Sequence, residues 1–317
     1  MKILITGGAG FIGSNLCGAL LQHPAVTLVR VFDNFATGYR ENLQPFLQHP
    51  KFELLEGDIR HAADCAAAVE GIDAISHQAA LGSVPRSIAD PATSHDVNLN
   101  GFVNMLQAAN KAGIRRMVYA SSSSVYGDLP DSPKVETRVG KVLSPYAATK
   151  YANEIYAQAW SKSYGMQLVG FRYFNVFGPN QSFNGPYVAV IPLFIRAALT
   201  NTSPTINGDG NITRDFTPVK NVVQANINSL LLEKEEAFHE VLNIACGKTT
   251  TLNDLWQKIC RITGATVAVT HGPNRPGDIM QSLADVSKAK QTIGYTPDDD
   301  LEGQLAEAIE WYRSILK

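Results

Sequence analysis

The sequence predicts a doubly wound parallel α/β fold with a smaller, mixed α/β C-terminal domain. Three observations carry that prediction. Short apolar runs alternate with helix-length segments from residue 2 to about 177. A glycine-rich turn, Gly7-Gly8-Ala9-Gly10-Phe11-Ile12-Gly13, joins the first run to the first helical segment. An aspartate, Asp33, closes the second run twenty residues after Gly13.

Lys2 to Thr6 is an apolar, β-branched run suited to a strand buried on both faces. The helix that follows spans about Phe11 to Gln22. Glycines between a strand and a helix let the backbone approach a pyrophosphate, which then sits at the helix N-terminus. This turn satisfies GxGxxG through Gly8, Gly10 and Gly13, and GxxGxxG through Gly7, Gly10 and Gly13. A second strand, Thr27 to Phe32, ends at Asp33, placed to bond the hydroxyls of an adenosine ribose. No basic residue follows directly, which favours NAD over NADP.

Phe52 to Glu56 is a third strand, with Asp58 beyond it placed to reach an adenine amino group. Ile72 to His77 is a fourth, ending in the small residues of Gln78-Ala79-Ala80, over which a dinucleotide can cross. His77 reads as a satisfied core histidine rather than a base. A helix from about Ser94 to Ala112 carries Asn98, which either braces a catalytic lysine or fills a buried polar niche. Arg116 to Ala120 is a fifth strand, opening into Ser121-Ser122-Ser123-Ser124-Val125-Tyr126-Gly127-Asp128, where ligands bind in open α/β sheets. Leu168 to Phe174 is a sixth. Later elements are helices over Pro186 to Leu199, Lys220 to Leu232 and Leu252 to Ile262, a turn at Gly208-Asp209-Gly210, and a strand over His239 to Ala245. The expected organisation is a dinucleotide-binding domain over 1–177, to which 217–247 returns, and a substrate domain built from 178–216 and 248–317.

Composition narrows the function. With 27 basic and 29 acidic residues the net charge is −2, which gives no footprint for nucleic acid or an anionic membrane. Hydrophobic content of 45% is that of a globular chain. The four cysteines lack metal-binding spacing and read as reduced thiols of a cytoplasmic protein. The N-terminus does not read as a signal peptide, no run approaches transmembrane length, and no metal site is expected.

The chemistry centres on Ser144-Pro145-Tyr146-Ala147-Ala148-Thr149-Lys150. Ser144 suits the N-cap and Pro145 the first helical position, so Tyr146 and Lys150 share one helix face, a turn apart. A phenol ionises near pH 10, and a neighbouring ammonium favours the phenolate. Lowering that pKa by ~3 units takes ~4 kcal/mol, which a buried cation plus the charge of an oxidised nicotinamide can supply. Arg214, and Arg275 with Asp278, are loop charges suited to phosphate recognition.

Together these residues resemble the extended short-chain dehydrogenase/reductases and, within them, the nucleotide-sugar 4-epimerases. The likeness runs through GGAGFIG, Asp58, HQAA at 77–80, SSSSVYGD, SPYAATK, RYFNVFGP, GDG followed by RDF, and RPGD. The stretch from Gln78 to Ser87 and the run 185–192 are most similar to the branch acting on UDP-N-acetylglucosamine and UDP-N-acetylgalactosamine, or the corresponding uronic acids. The resemblance implies a Rossmann domain holding NAD. It also implies that Tyr146 takes the proton of the sugar 4-hydroxyl while hydride leaves C4, and that hydride returns to the other face of the 4-keto sugar.

By the same resemblance, Lys150 binds the nicotinamide ribose, and Ser122, with Ser123 beside it, bonds the reacting oxygen. The implied cofactor residues are Gly7, Gly10, Phe11, Ile12, Gly13, Asp33, Asn34, Gly38, Asp58, Ile59, Gln78, Ala79, Ala80, Asn98, Ser121, Tyr146, Lys150, Tyr173 and Val176. The implied substrate residues are Ser83, Val84, Arg86, Ser122, Ser123, Tyr146, Asn175, Val190, Asn207, Arg214, Arg275, Asp278 and Ser282, the last leaving room for an N-acetyl group. The chain departs from the family at Thr217-Pro218-Val219-Lys220, where an aromatic and an acidic residue are usual, and at Phe183 to Pro186. Two rivals are considered. A 4,6-dehydratase would carry an Asp-Glu pair where Ser123 and Ser124 stand, and a non-catalytic NAD-binding regulator would tend to lack Tyr146 or Lys150. A homodimer is expected through the 94–112 and 145–164 helices, from Leu99, Phe102, Val103 and Leu106 on one and Tyr151, Ile155, Tyr156 and Trp160 on the other.

Overall fold

Seven parallel strands form the central sheet: β1 (Lys2–Thr6), β2 (Leu28–Asp33), β3 (Phe52–Glu56), β4 (Ala74–His77), β5 (Arg116–Ala120), β6 (Gln167–Tyr173) and β7 (Phe238–Ile244). The computed structural model describes residues 1–183, 188–234, 236–273 and 281–316. The strand order is β7-β6-β5-β4-β1-β2-β3, so the chain winds outward from β1 to β3 and then returns to build the other half from β4. The register pairs Ile3 with Val29 on one side and with Ala74 on the other. All carboxyl ends therefore face one edge, with the topological switch beside β1, where open α/β sheets bind ligands.

Residues alternate between the two faces, as strand geometry requires. Ile3 and Ile5 join a cluster with Leu16 and Leu20 of helix α1 (Phe11–Gln22). Leu4 points into the opposite cluster with Phe102, Met105 and Leu106. That second face is covered by α2 (Ala62–Ala68), α5 (Gly101–Lys111) and α6 (Pro145–Tyr164), while α3 (Val84–Ala89) and α4 (Pro91–His95) pack on α6. Beyond α7 (Val190–Leu199), helix α8 (Val219–Leu230) returns to the first face, bringing Val222 and Ala225. A third cluster gathers Phe194 of α7, Leu255 and Trp256 of α9 (Leu252–Thr263), and Ile309 and Tyr312 of α11 (Leu301–Ile315). Ala284, Val286, and Ala289 and Ile293 of α10 (Ser287–Ile293) pack instead with the first cluster.

The helix expected from Ser94 to Ala112 is present and starts earlier, running without a gap from Pro91 to Lys111. A π turn over Asp96–Asn100 joins α4 to α5 and turns Asn98 inward, where it is 1% exposed. The next residue is tightly placed, since a Cβ on Gly101 would lie 2.6 Å from Ile59. α7 begins at Val190, and 184–187 lie outside the described residues. Among the described residues no helix is long and apolar enough to cross a membrane.

Candidate functional site

A cavity of about 520 Å³ opens along the carboxyl edge of the sheet. Gly7, Gly10, Phe11, Ile12 and Gly13 line it at the turn between β1 and α1. Gly7 has φ +70°, and a Cβ there would sit 2.7 Å from the Ala79 backbone. A Cβ on Gly13 would lie 2.2 Å from the Gly7 carbonyl oxygen, so only glycine lets α1 start this close to the strand. Asp33, Asn34 and Gly38 line the cavity beyond β2, Ile59 beyond β3, and Gln78, Ala79 and Ala80 beyond β4. Ser121 and Ser122 enter from β5, Tyr146 and Lys150 from α6, and Tyr173, Asn175 and Val176 from the end of β6.

Asp33 is fixed by backbone N–H groups, Ala9 donating to Oδ2 at 2.9 Å and Phe35 to Oδ1 at 2.8 Å. Burial raises its pKa, and the backbone bonds oppose that rise. Asp58 and Asn98 stand outside the lining. The Asp58 carboxylate is taken up by Arg60, whose Nη2 donates at 2.7 Å, and by Asn34 Nδ2 at 2.8 Å. Hydrogen bonding from Arg60 holds its pKa well below the usual carboxylate range. It is Arg60, which sequence reading passed over, that lines the cavity here. Asn98 accepts from Leu81 N–H at 2.7 Å and donates to Thr149 Oγ1 at 3.2 Å. It thus ties the segment after β4 to the helix turn that carries Lys150.

Ser144 caps α6 as expected, its hydroxyl accepting from Ala147 N–H at 3.2 Å. Ser87 of α3, a residue the sequence reading did not assign, accepts from Tyr146 N–H at 3.0 Å and secures the same helix start. Lys150 is 2% exposed, and its ammonium donates to the Ala120 carbonyl at 2.8 Å. Burial lowers its pKa to about 8. Its Nζ lies 6.0 Å from the Tyr146 ring centroid. Burial pushes the Tyr146 phenol up, and a hydrogen bond with Ser122 opposes that rise. Burial thus works against the lowering expected from Lys150 together with the nicotinamide charge.

Ser122 Oγ accepts from Ser124 N–H at 3.1 Å and from the Ser124 hydroxyl at 2.9 Å. With both donors aimed at it, its own proton is left for the phenol oxygen. Ser123 is carried in the 3₁₀ turn Ser123–Tyr126 and does not line the cavity. Ser121 donates to Glu154 Oε1 at 2.5 Å, so its hydroxyl faces the protein interior. His77 is buried beside Thr6, with Oγ1 to Nδ1 at 2.9 Å. Burial and then the charge of Lys150 hold its pKa at about 3, so it is neutral, as a core histidine should be.

A second cavity, of about 560 Å³, is lined by Asn175, Val190, Asn207 and Arg214 together with Phe194 and Ile212. Asn175 lines both cavities and joins them. Its amide donates to the carbonyl of Asp215 at 3.1 Å. The fully buried Asp215 carboxylate accepts from Cys246 N–H and Gly247 N–H at 3.0 Å each and from Ala284 N–H at 3.2 Å. One carboxylate thus gathers the loops around this end of the site. Ser83, Val84 and Arg86 lie on or beside α3 and are in neither lining, though Gly82, next to Ser83, lines the first, and Ser282 contributes its N–H to the Thr213 carbonyl at 3.2 Å. Arg275 and Asp278 lie outside the described residues.

A model of the NAD dependent epimerase/dehydratase family matches residues 3–245. The chain belongs to this epimerase/dehydratase family. The UDP-glucose 4-epimerase of Mycolicibacterium smegmatis is 34% identical over 318 residues, spanning 99% of each chain. A dTDP-glucose 4,6-dehydratase of Streptomyces niveus is 33% identical over 319 residues, spanning 99% of this chain and 93% of its own. Among solved structures, the UDP-N-acetylglucosamine 4-epimerase of Methanobrevibacter ruminantium M1, in complex with UDP-N-acetylmuramic acid, is 38% identical with a TM-score of 0.93, covering 99% of this chain and 98% of its own.

The family's cofactor, NAD, suits the residues present. The glycine turn lines the cavity and packs so tightly that a Cβ on Gly7 or Gly13 would strike neighbouring backbone, and Asp33 offers a carboxylate that a 2′-phosphate would oppose. The departure at residues 217–220 also has a structural account. Thr217–Pro218 pairs in parallel with Val176–Phe177, and Lys220 is paired with Glu307 at 2.5 Å. Asn221, next in line, donates to the Asp298 carbonyl at 2.8 Å and accepts from its N–H at 2.9 Å. These bonds hold the loop without the family's usual acid.

Proposed function

We propose that this protein is a UDP-sugar 4-epimerase interconverting UDP-N-acetylglucosamine and UDP-N-acetylgalactosamine, or the corresponding uronic acids. The observation that carries it is the meeting of Tyr146, Ser122 and Lys150 on one cavity wall, with Asn175 joining that cavity to the one lined by Arg214. Residues 178–216 and 248–317 form the substrate part in this reading. NAD, when bound, supplies the acceptor for the C4 hydride and the positive charge of its ring. Tyr146 Oη takes the proton of the sugar 4-hydroxyl, and Ser122, its lone pairs occupied by Ser124, donates to the same oxygen. Lys150 places a buried cation behind the phenol, and Arg214 faces the diphosphate. The kinship with an enzyme named for UDP-N-acetylglucosamine supports the N-acetylated sugars.

A dehydratase must also remove a C5 proton. Ser123 and Ser124 stand where its acids would be, and Ser124 is committed to Ser122. Adding the purified protein to UDP-N-acetylglucosamine and following the anomeric protons decides the matter. The galacto epimer should appear with no net NADH. A 4-keto-6-deoxy product would make it a dehydratase, and an unchanged spectrum a regulator.

The dimer is proposed on a narrower face than the sequence suggested. Phe102 and Leu106 are fully buried against the sheet. Ile155 and Tyr156 are 53% and 41% exposed, on a helix face continuous with half-buried Tyr151 and Trp160. Leu99 and Val103 are half-buried on the neighbouring helical segment. Light scattering should give twice the chain mass at micromolar concentration, and a single-chain mass would refute the pairing.

A further inference from the structure

The wall of the dinucleotide cavity beyond β4 and β6 is closed by a ring of hydrogen bonds whose keystone lies outside the cavity. Gln78 Nε2 donates to Asn226 Oδ1 at 3.0 Å, Asn226 Nδ2 donates to Tyr173 Oη at 2.9 Å, and Tyr173 Oη donates to Gln78 Oε1 at 3.3 Å. Gln78, just past β4, and Tyr173, at the end of β6, line the cavity with β5 between their strands, whereas Asn226 sits on α8 and is 0% exposed. The rest of its amide is also used, Oδ1 accepting from Ser76 Oγ at 2.9 Å and Nδ2 donating to the Val222 carbonyl at 2.8 Å. A buried ring in which every donor and acceptor is matched specifies one orientation of each member.

We propose that Asn226 is a positioning residue for the cofactor, setting which way the Gln78 amide and the Tyr173 hydroxyl face in the cavity wall. Only an amide gives Gln78 an acceptor and Tyr173 a donor from one side chain of this size. A carboxylate at 226 would draw the Tyr173 proton to itself and leave Gln78 Oε1 without a donor. An alanine would release both. Either change leaves a buried polar group unpaired, and it is relieved by turning Gln78 or Tyr173 into the space the dinucleotide needs.

The inference rests on NAD binding in this cavity, so the test reads NAD affinity directly, by titrating cofactor-stripped protein and following intrinsic fluorescence. Asn226→Asp and Asn226→Ala should each bind NAD about tenfold more weakly than the parent, an effect of the size of one lost buried hydrogen bond. Turnover of both should recover toward the parent's kcat at saturating NAD, which a general loss of packing would not do. In a Tyr173→Phe background, where the ring is already open, the effect of Asn226→Ala should shrink. Should Asn226→Asp fail to fold, the alanine protein carries the test. Parental NAD affinity in the alanine variant, full additivity with Tyr173→Phe, or a kcat that stays low at saturating NAD would each overturn the proposal. A parent that binds no NAD would overturn the reading of the cavity as well.

Discussion

Replacing Tyr146 by phenylalanine should lower kcat about a thousandfold while leaving the fold and the KM for the UDP-sugar close to the parent's. The loss corresponds to about 4 kcal/mol of transition-state stabilisation. Only the hydroxyl is removed. The ring stays packed, the Ser87 bond to the residue 146 N–H is a backbone bond, and Lys150 keeps its bond to the Ala120 carbonyl. What disappears is the atom that Ser122 faces and that, in the proposed function, takes the sugar proton. Steady-state kinetics on UDP-N-acetylglucosamine measure it. A variant that keeps a tenth or more of the parental kcat would remove the phenol from the chemistry.

Replacing Glu154 by alanine should cost about 3–5 kcal/mol of unfolding free energy. Glu154 and Arg172 form a two-pronged pair at 2.7 Å and 3.0 Å, with side chains 5% and 3% exposed. Arg172 also donates to the Glu136 carbonyl at 3.2 Å and lies 4.7 Å from the Tyr126 ring centroid. Without Glu154 a guanidinium is left buried and uncompensated, and the Ser121 hydroxyl loses its acceptor. Residues 146, 150 and 154 follow at four-residue spacing on one face of α6, so the same change should also lower turnover by loosening the helix that holds Tyr146 and Lys150. Urea unfolding measures the first effect. The double variant Glu154→Ala/Arg172→Met should lose less than Glu154→Ala alone, because no buried charge then remains. A loss below about 1 kcal/mol for Glu154→Ala would show that water reaches the pair.

The parts of this architecture set by local chemistry are readable in the chain. β1, α1, β3 and β5 begin and end where their apolar runs do, and Ser144 caps α6 through its own hydroxyl. The glycine turn and Asp33 meet in one cavity because a strand, a tight turn and a helix leave the chain few alternatives. What was not readable depends on partners distant in sequence. Gly101, just after the π turn, packs tightly against Ile59, and the ring at Asn226 joins residues 148 apart. The pKa of Tyr146 turns on how deeply the pair with Lys150 is buried, which spacing alone does not reveal. Asp58, read as reaching adenine, also accepts from Arg60, which folds back onto it from two residues on. The last element read from the sequence ended at Ile262, so α10 and α11 went unread, although α11 brings Leu305, Ile309 and Tyr312 to the third core.

The claim beneath all of this is that C4 loses a hydride and regains the same one within a single closed site. UDP-N-acetylglucosamine labelled with deuterium at C4, brought to equilibrium in ordinary water with the parent protein, should yield UDP-N-acetylgalactosamine that still carries deuterium at C4. Epimerisation with the label washed into solvent would contradict the account.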